Sequence, residues 1–261
     1  MRRLAAALAC FAAVSGAAGA ETPGCRLFPR PQLDMSIMKA RFVADLCGGK
    51  ACEAKWANAQ KLIELIAADE NVANVGTAAF LLATAEVETG DFSPDRVEVK
   101  GKANEKRDYF QPDAKTGQTY YGRGWVQLTR IDAYQRAERE LGVPLVAEPD
   151  RALEPEVSYR VLHRAVTEGW LEYYRGNANG TTATSTPIRL EHFISADAVD
   201  YAQARAVINA NCTPKPGCVG FYQKKGDLGF VPPAVFLDAS DRMQKSAHAF
   251  ERAFCLAAPK P

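Results

Sequence analysis

FLLATAEVETG, Phe80 to Gly90, is an apolar helical run that ends in a carboxylate, and about thirty residues later comes the compact segment YYGRGWVQLT, Tyr120 to Thr129. In the first stretch Phe80, Leu81, Thr84 and Val87 recur at helical spacing, Thr77 is the expected N-cap and Gly90 the expected stop. Glu88 therefore falls in the last helical turn. In the second stretch two glycines bracket Arg123 between aromatic and amide side chains, a composition that permits tight backbone approach.

Outward from these two stretches the pattern stays helical. Trp56, Ala59, Leu62, Ile63 and Ile66 predict a helix over Cys52 to Ala68, and a shorter one is expected over Met35 to Leu46. Residues 91–119 are polar and turn-rich and predict a loop or a short β-ribbon. Thr129 is the expected cap of a helix bearing Ile131, Tyr134, Ala137 and Leu141, which Gly142 stops. Pro155 opens another, with Val157, Val161, Leu162 and Ala165 inside and Gly169 at its end. A Thr-, Asn-, Gly- and Ser-rich stretch, Gly176 to Thr186, precedes a helix expected to be capped by Ser195 and to run through Ala204, Val207 and Ile208. Trp125 and Trp170 read as packing residues. The expected class is mainly α (α+β), two lobes with the smaller one a loop or ribbon.

Arg2 and Arg3 ahead of an alanine-rich run, with Ala18, Gly19 and Ala20 at its end, read as a signal peptide over residues 1–20. Neither that run nor any later segment reaches the roughly 18 apolar residues of a membrane span, and the context of Cys10 does not favour lipidation. The mature chain is expected to be exported, secreted or periplasmic, with an N-terminal extension over 21–50 and a catalytic domain over 51–261. Removing the two signal arginines takes 32 basic and 31 acidic residues to 30 and 31, a balance that suggests neither nucleic acid nor an anionic membrane as partner. Six cysteines remain: Cys25, Cys47, Cys52, Cys212, Cys218 and Cys255. An even count in an exported chain favours disulfides, although the sequence does not choose among the fifteen pairings. The set favoured here is Cys47 with Cys52, Cys212 with Cys218, and Cys25 with Cys255. Zinc is disfavoured because the cysteine spacings are wide and no histidine pair accompanies them.

Two carboxyls frame the chemistry. Hydrolysis of a glycosidic bond by inversion needs one protonated carboxyl for the leaving oxygen and one ionised carboxyl, roughly 6.5–9.5 Å away, to activate water. Glu88 and Glu98 suit this because Gly90 and Pro94 break the chain between them, so Glu98 approaches from a loop. Glu88 meets the negative end of its helix and apolar neighbours, an environment suited to an acid. Glu86 sits about 200° around the helix from Glu88 and points elsewhere. Arg123 either steers the carboxylates or pairs structurally. His163, His192 and His248 show no ligand spacing, and no GxSxG elbow occurs.

In order along the chain, AEVETGDF, YYGRGWVQLT, EPDRALEPEV, ARAVINAN and VGFYQK resemble glycoside hydrolase family 19, the chitinases and the related phage and bacterial lysozymes, over about residues 77–223. The resemblance implies a lysozyme-like helical fold and cleavage of β-1,4 bonds in an N-acetylglucosamine polymer, chitin or peptidoglycan, without a cofactor. It implies Glu88 as general acid and Glu98 as base, with Glu105 in reserve. It further implies Thr129 assisting the water, Gln127 bonding sugar or water, Tyr120 and Tyr121 walling sugar subsites, and Asn209 orienting an N-acetyl group. Read without the family, Tyr120 and Tyr121 are core aromatics, Thr129 is a helix cap and Asn209 a helix end. Val87, Ala133 and Ala210 depart from the family's usual histidine, asparagine and glycine. Two rivals stay open: a lytic transglycosylase, which needs one acid only and would explain an irregular second glutamate, and a catalytically silent glycan-binding protein, which the Val87 and Ala133 departures suggest.

Overall fold

The computed structural model describes residues 25, 28, 32–47, 52–101, 106–170, 189–196, 198–208 and 234–259. The expected signal peptide, the Cys212–Cys218 pairing, the 176–186 segment, Glu105 and Asn209 lie outside these residues. The described elements are α1 (Met35–Asp45), α2 (Cys52–Ala68), α3 (Val75–Thr89), α4 (Ile131–Leu141), α5 (Pro155–Glu168), α6 (Tyr201–Ala204) and α7 (Ala234–Ala257), with short 3-10 turns between them. The mainly helical class read from the sequence is what these residues form. Among them the only β features are isolated antiparallel bridges, Val97 to Arg123, Arg123 to Leu128 and Ile194 to Val199, so the expected ribbon reduces to single pairings.

Helix α3 is the axis of the core. Every residue from Val75 to Ala85 is buried, so its sequence is apolar all round and its neighbours enclose it. It lies along α7 and also meets α2 and α5. Phe42 of α1 packs on Trp56 of α2 and on Phe92, and Phe92 packs edge-on against Phe250 of α7. One aromatic cluster thus fixes the chain just beyond the end of α3. Burying a side chain of this size contributes on the order of 1.5–3 kcal/mol. The N-terminal segment is held twice: Met38 and Phe42 belong to the same core, and a disulfide joins Cys25 to Cys255. Cys47 and Cys52 form a second disulfide between α1 and α2. Both pairs are among those favoured from the sequence.

The helix stops fall where expected, with Gly90, Gly142 and Gly169 each in the left-handed conformation. The starts are different. Asn74, not Thr77, caps α3, its side chain accepting from the Thr77 amide at 2.7 Å. Arg130, not Thr129, is the N-cap residue of α4, and no side chain caps that helix. The helix expected after Ser195 begins only at Tyr201, because Ser195 is engaged in a turn with Ala198.

Candidate functional site

Glu98 lies ten positions after Glu88 in sequence, and the structure pins that connection at successive points to the 122–128 loop. Trp125 is fully buried and donates its Nε1 to the Phe92 carbonyl at 2.6 Å. The Gly124 amide donates to the Arg96 carbonyl at 3.0 Å, and Gln127 Nε2 donates to the same carbonyl at 3.1 Å. The Glu98 amide donates to the Gly122 carbonyl at 2.8 Å. Glu98 is therefore positioned by backbone pairing with the YYGRG segment rather than by a wandering loop.

Gly122 is the junction. A Cβ there would stand 2.8 Å from Gln127 Oε1 and 3.3 Å from both Glu98 Cβ and Thr129 Oγ1. Three of the site residues read from the sequence thus converge on a position that only glycine leaves open. Gln127 is held rigidly, since its amide nitrogen also donates to the Gly124 carbonyl at 2.9 Å and its backbone sits at φ 53°. Thr129 Oγ1 donates to the Gln127 carbonyl at 2.6 Å, which turns its oxygen lone pairs toward other donors. The described non-glycine residues with positive φ are Gln127 and Arg130 in and after this loop, and Phe92, whose carbonyl Trp125 holds. Such backbone costs on the order of 1–3 kcal/mol each and persists where surrounding contacts impose it.

Glu98 accepts from both a side chain and the backbone. Tyr109 donates its hydroxyl to Oε1 at 3.0 Å and the Gly122 amide approaches Oε2 at 3.3 Å. Burial raises the Tyr109 phenol pKa, and the Glu98 charge and hydrogen bond raise it further, so Tyr109 stays a neutral donor. Tyr109 was not singled out in the sequence; its only signal was an aromatic residue in a polar, charged stretch.

Glu88 sits elsewhere in the contact network. Its Oε1 accepts from Arg205 Nη1 at 2.6 Å, with the two side chains 20% and 10% exposed. Arg205 follows α6 and belongs to the ARAVINAN segment, so the fourth of the sequence motifs is carried to the end of α3. Nothing local in the sequence marks this partner, which lies 117 residues away. Glu86 points away from Glu88, as its helical phase predicts, and receives a hydrogen bond from Ser246 of α7. Burial raises the Glu86 pKa, against the opposing effects of Ser246, Lys55 and Arg242.

The remaining loop residues form a support. Tyr120 is 2% exposed and donates its hydroxyl to the Val146 carbonyl at 2.8 Å, with its ring against Tyr134. It is an interior strut, and the expected subsite wall at this position is corrected accordingly. Arg123, 3% exposed, donates to Asp150 Oδ1 at 2.8 Å, to the Thr119 carbonyl at 3.0 Å and to Tyr134 at 3.0 Å, and lies 3.7 Å from the Tyr121 ring centroid. Burial works against its charge, but Tyr134, Tyr121 and Asp150 outweigh it and hold its pKa above the ordinary value. Arg123 thus clamps the loop, in keeping with the structural one of its two readings. Tyr121 stays half-buried, stacked on Phe110.

Among the described residues no group of three or more His, Cys, Asp or Glu side chains is placed to hold a metal ion, and no helix is long and apolar enough to cross a membrane. No protein-family model matches the chain, and no curated protein does. Solved structures similar to it are family 19 chitinases. One is a bacterial family 19 chitinase, 16% identical, covering 81% of this chain and 93% of that chain at a TM-score of 0.40. A chitinase C variant is 17% identical, with 85% and 78% coverage and a TM-score of 0.44. Chitinase C from Streptomyces griseus is 20% identical, with 85% and 77% coverage and a TM-score of 0.39. Likeness of this degree leaves the chemistry to the chain's own side chains.

Proposed function

We propose that the chain is an exported glycoside hydrolase that cleaves β-1,4 linkages of an N-acetylglucosamine polymer, chitin or peptidoglycan, by inversion and without a cofactor. In this reading residues 1–20 are a signal peptide, 21–50 a stapled extension and 51–261 the catalytic domain. Glu88 gives its proton to the glycosidic oxygen as the bond from C1 to that oxygen breaks. Glu98 takes a proton from a water molecule whose oxygen bonds to C1 on the opposite face, so one water is consumed per cut. Thr129 accepts from the same water, Gln127 fixes the wall beside it, and Tyr121 and Asn209 serve the sugar.

The single observation that supports this reading best is the convergence of Glu98, Gln127 and Thr129 on Gly122. A carboxylate, an amide and a hydroxyl held on one rigid loop are what activation of a water molecule requires. Proton donation from Glu88 begins from a carboxyl that already accepts from Arg205, so a bound sugar has to displace or share that contact. The same contact favours a second reading, a glycan-binding protein that releases no product.

Glu88→Gln and Glu98→Gln variants, assayed on chitin oligomers and on peptidoglycan, test the proposal. Each substitution is expected to lower the rate by about 10²-fold or more while pull-down on the polymer persists. Wild-type rates in either variant would refute the assigned role, and a wild-type protein that binds both polymers without product would favour the second reading.

A further inference from the structure

The contact at Glu98 carries one step more. Tyr109 is buried, its ring beside Phe110 and near the guanidinium carbons of Arg107 at 5.8 Å and Arg130 at 5.6 Å. Arg130 is itself paired to Asp108 at 3.2 Å, and the Tyr120 amide donates to the Tyr109 carbonyl at 3.2 Å. Both ends of the residue are thus fixed to the YYGRG segment and the start of α4. Arg107 Nη1 donates to the Tyr109 hydroxyl at 2.9 Å. A hydroxyl has one proton and two lone pairs. With one lone pair taken by a donor that can never accept, the proton turns toward the remaining acceptor, Glu98 Oε1 at 3.0 Å.

This matters because the terminal torsion of a glutamate is broad and roughly two-fold, so the carboxyl plane is not set by its own rotamer. Tyr109 on one oxygen and the Gly122 amide on the other both constrain that plane. We propose that Tyr109 is a positioning residue that aims the Glu98 carboxylate, with Arg107 fixing the direction of its hydroxyl. The inference rests on the reading of Glu98 as the group that activates water, and it adds two residues to that function which the sequence motifs do not contain. Tyr109 touches neither substrate nor water in this role; it acts through Glu98.

Tyr109→Phe keeps the ring and removes the hydroxyl. On a soluble N-acetylglucosamine oligomer it is expected to lower kcat roughly 10- to 100-fold, as for a displaced catalytic group, with KM within about threefold and an unchanged thermal midpoint. Arg107→Gln should give a smaller fall in the same direction. An assay independent of turnover accompanies these. The alkaline absorbance titration of Tyr109, taken as wild type minus Tyr109→Phe with circular dichroism confirming the fold, should move down in a Glu98→Gln background, because the opposing carboxylate charge is gone. A Tyr109→Phe protein with full kcat overturns the positioning role even if the titration moves. A titration indifferent to Glu98→Gln overturns the contact itself. A wild-type protein inactive on every polymer sinks the hydrolase reading and this role with it, whatever the titration reports.

Discussion

Arg205 Nη1 donates to Glu88 Oε1 at 2.6 Å across 117 residues of chain, and this contact joins the end of α3 to the segment after α6. Both side chains are mostly buried. Removing the guanidinium leaves a carboxylate without its donor, which costs on the order of 1–3 kcal/mol. An Arg205→Ala protein should therefore lose that much unfolding free energy, read as a lower urea midpoint at constant slope, and turn over more slowly, because Glu88 loses the group that holds it. An unchanged midpoint would mean that water replaces the arginine fully.

Gly122 offers a sharper separation of activity from stability. The nearest atom to an added methyl is Gln127 Oε1 at 2.8 Å, and Gln127 has little room to retreat, since its nitrogen is tied to the Arg96 and Gly124 carbonyls. Gly122→Ala should cost about 1–3 kcal/mol of stability through overpacking, yet lower kcat up to about 10²-fold by displacing the amide beside Glu98. Parallel thermal melts and oligomer assays measure both. Equal activity in the two proteins would show that the junction does not hold the reacting water.

Burial raises the Glu86 pKa, with Ser246, Lys55 and Arg242 opposing. A carboxyl whose folded pKa lies above its unfolded value binds its proton more tightly when folded. Its contribution is fully present below the unfolded pKa and is lost as pH rises through the folded one. Glu86→Gln keeps the acceptor for Ser246 and removes the charge. It should raise the thermal midpoint at about pH 7 more than at about pH 3, where the wild-type carboxyl is largely protonated in both states. A gain independent of pH would contradict the burial argument.

The Cys25–Cys255 disulfide spans 230 residues of sequence and closes nearly the whole chain. A cross-link over so long a loop restricts the unfolded state strongly, and its loss typically costs about 2–5 kcal/mol. The double Cys25→Ser, Cys255→Ser protein should unfold at correspondingly lower denaturant under non-reducing conditions. A midpoint equal to wild type would show that core contacts of α1 alone hold the N-terminal segment.

Part of the helical framework was legible in the sequence, whereas α7 (Ala234–Ala257), which lies along α3, was not anticipated. The expected span of α2 and the glycine stops of α3, α4 and α5 appear unchanged, because helical periodicity and left-handed glycine are local properties. Helix starts were not legible to the residue. Asn74 and Thr77 are both good caps three places apart, and only the direction of the entering chain decides between them. At the site, the resemblance gave Glu98, Gln127 and Thr129 roles that their convergence on Gly122 suits, but assigned Tyr120 and Tyr121 together to the sugar. Adjacent residues of an extended segment point to opposite sides, so a loop with one inner face buries Tyr120 and leaves Tyr121 half-exposed. Arg205 and Tyr109 escaped notice because each meets its glutamate through the tertiary fold, with no periodicity or spacing to announce it.

Cleavage of a soluble β-1,4 N-acetylglucosamine oligomer in ¹⁸O-labelled water, followed by mass spectrometry and by NMR of the newly formed reducing end, bears most directly on the paired roles of Glu88 and Glu98. One labelled oxygen per cut, carried on a product that first appears as the α-anomer, is the outcome expected of a water activated opposite a proton donor. Unlabelled anhydro-sugar ends, or a labelled product that first appears as the β-anomer, would contradict it.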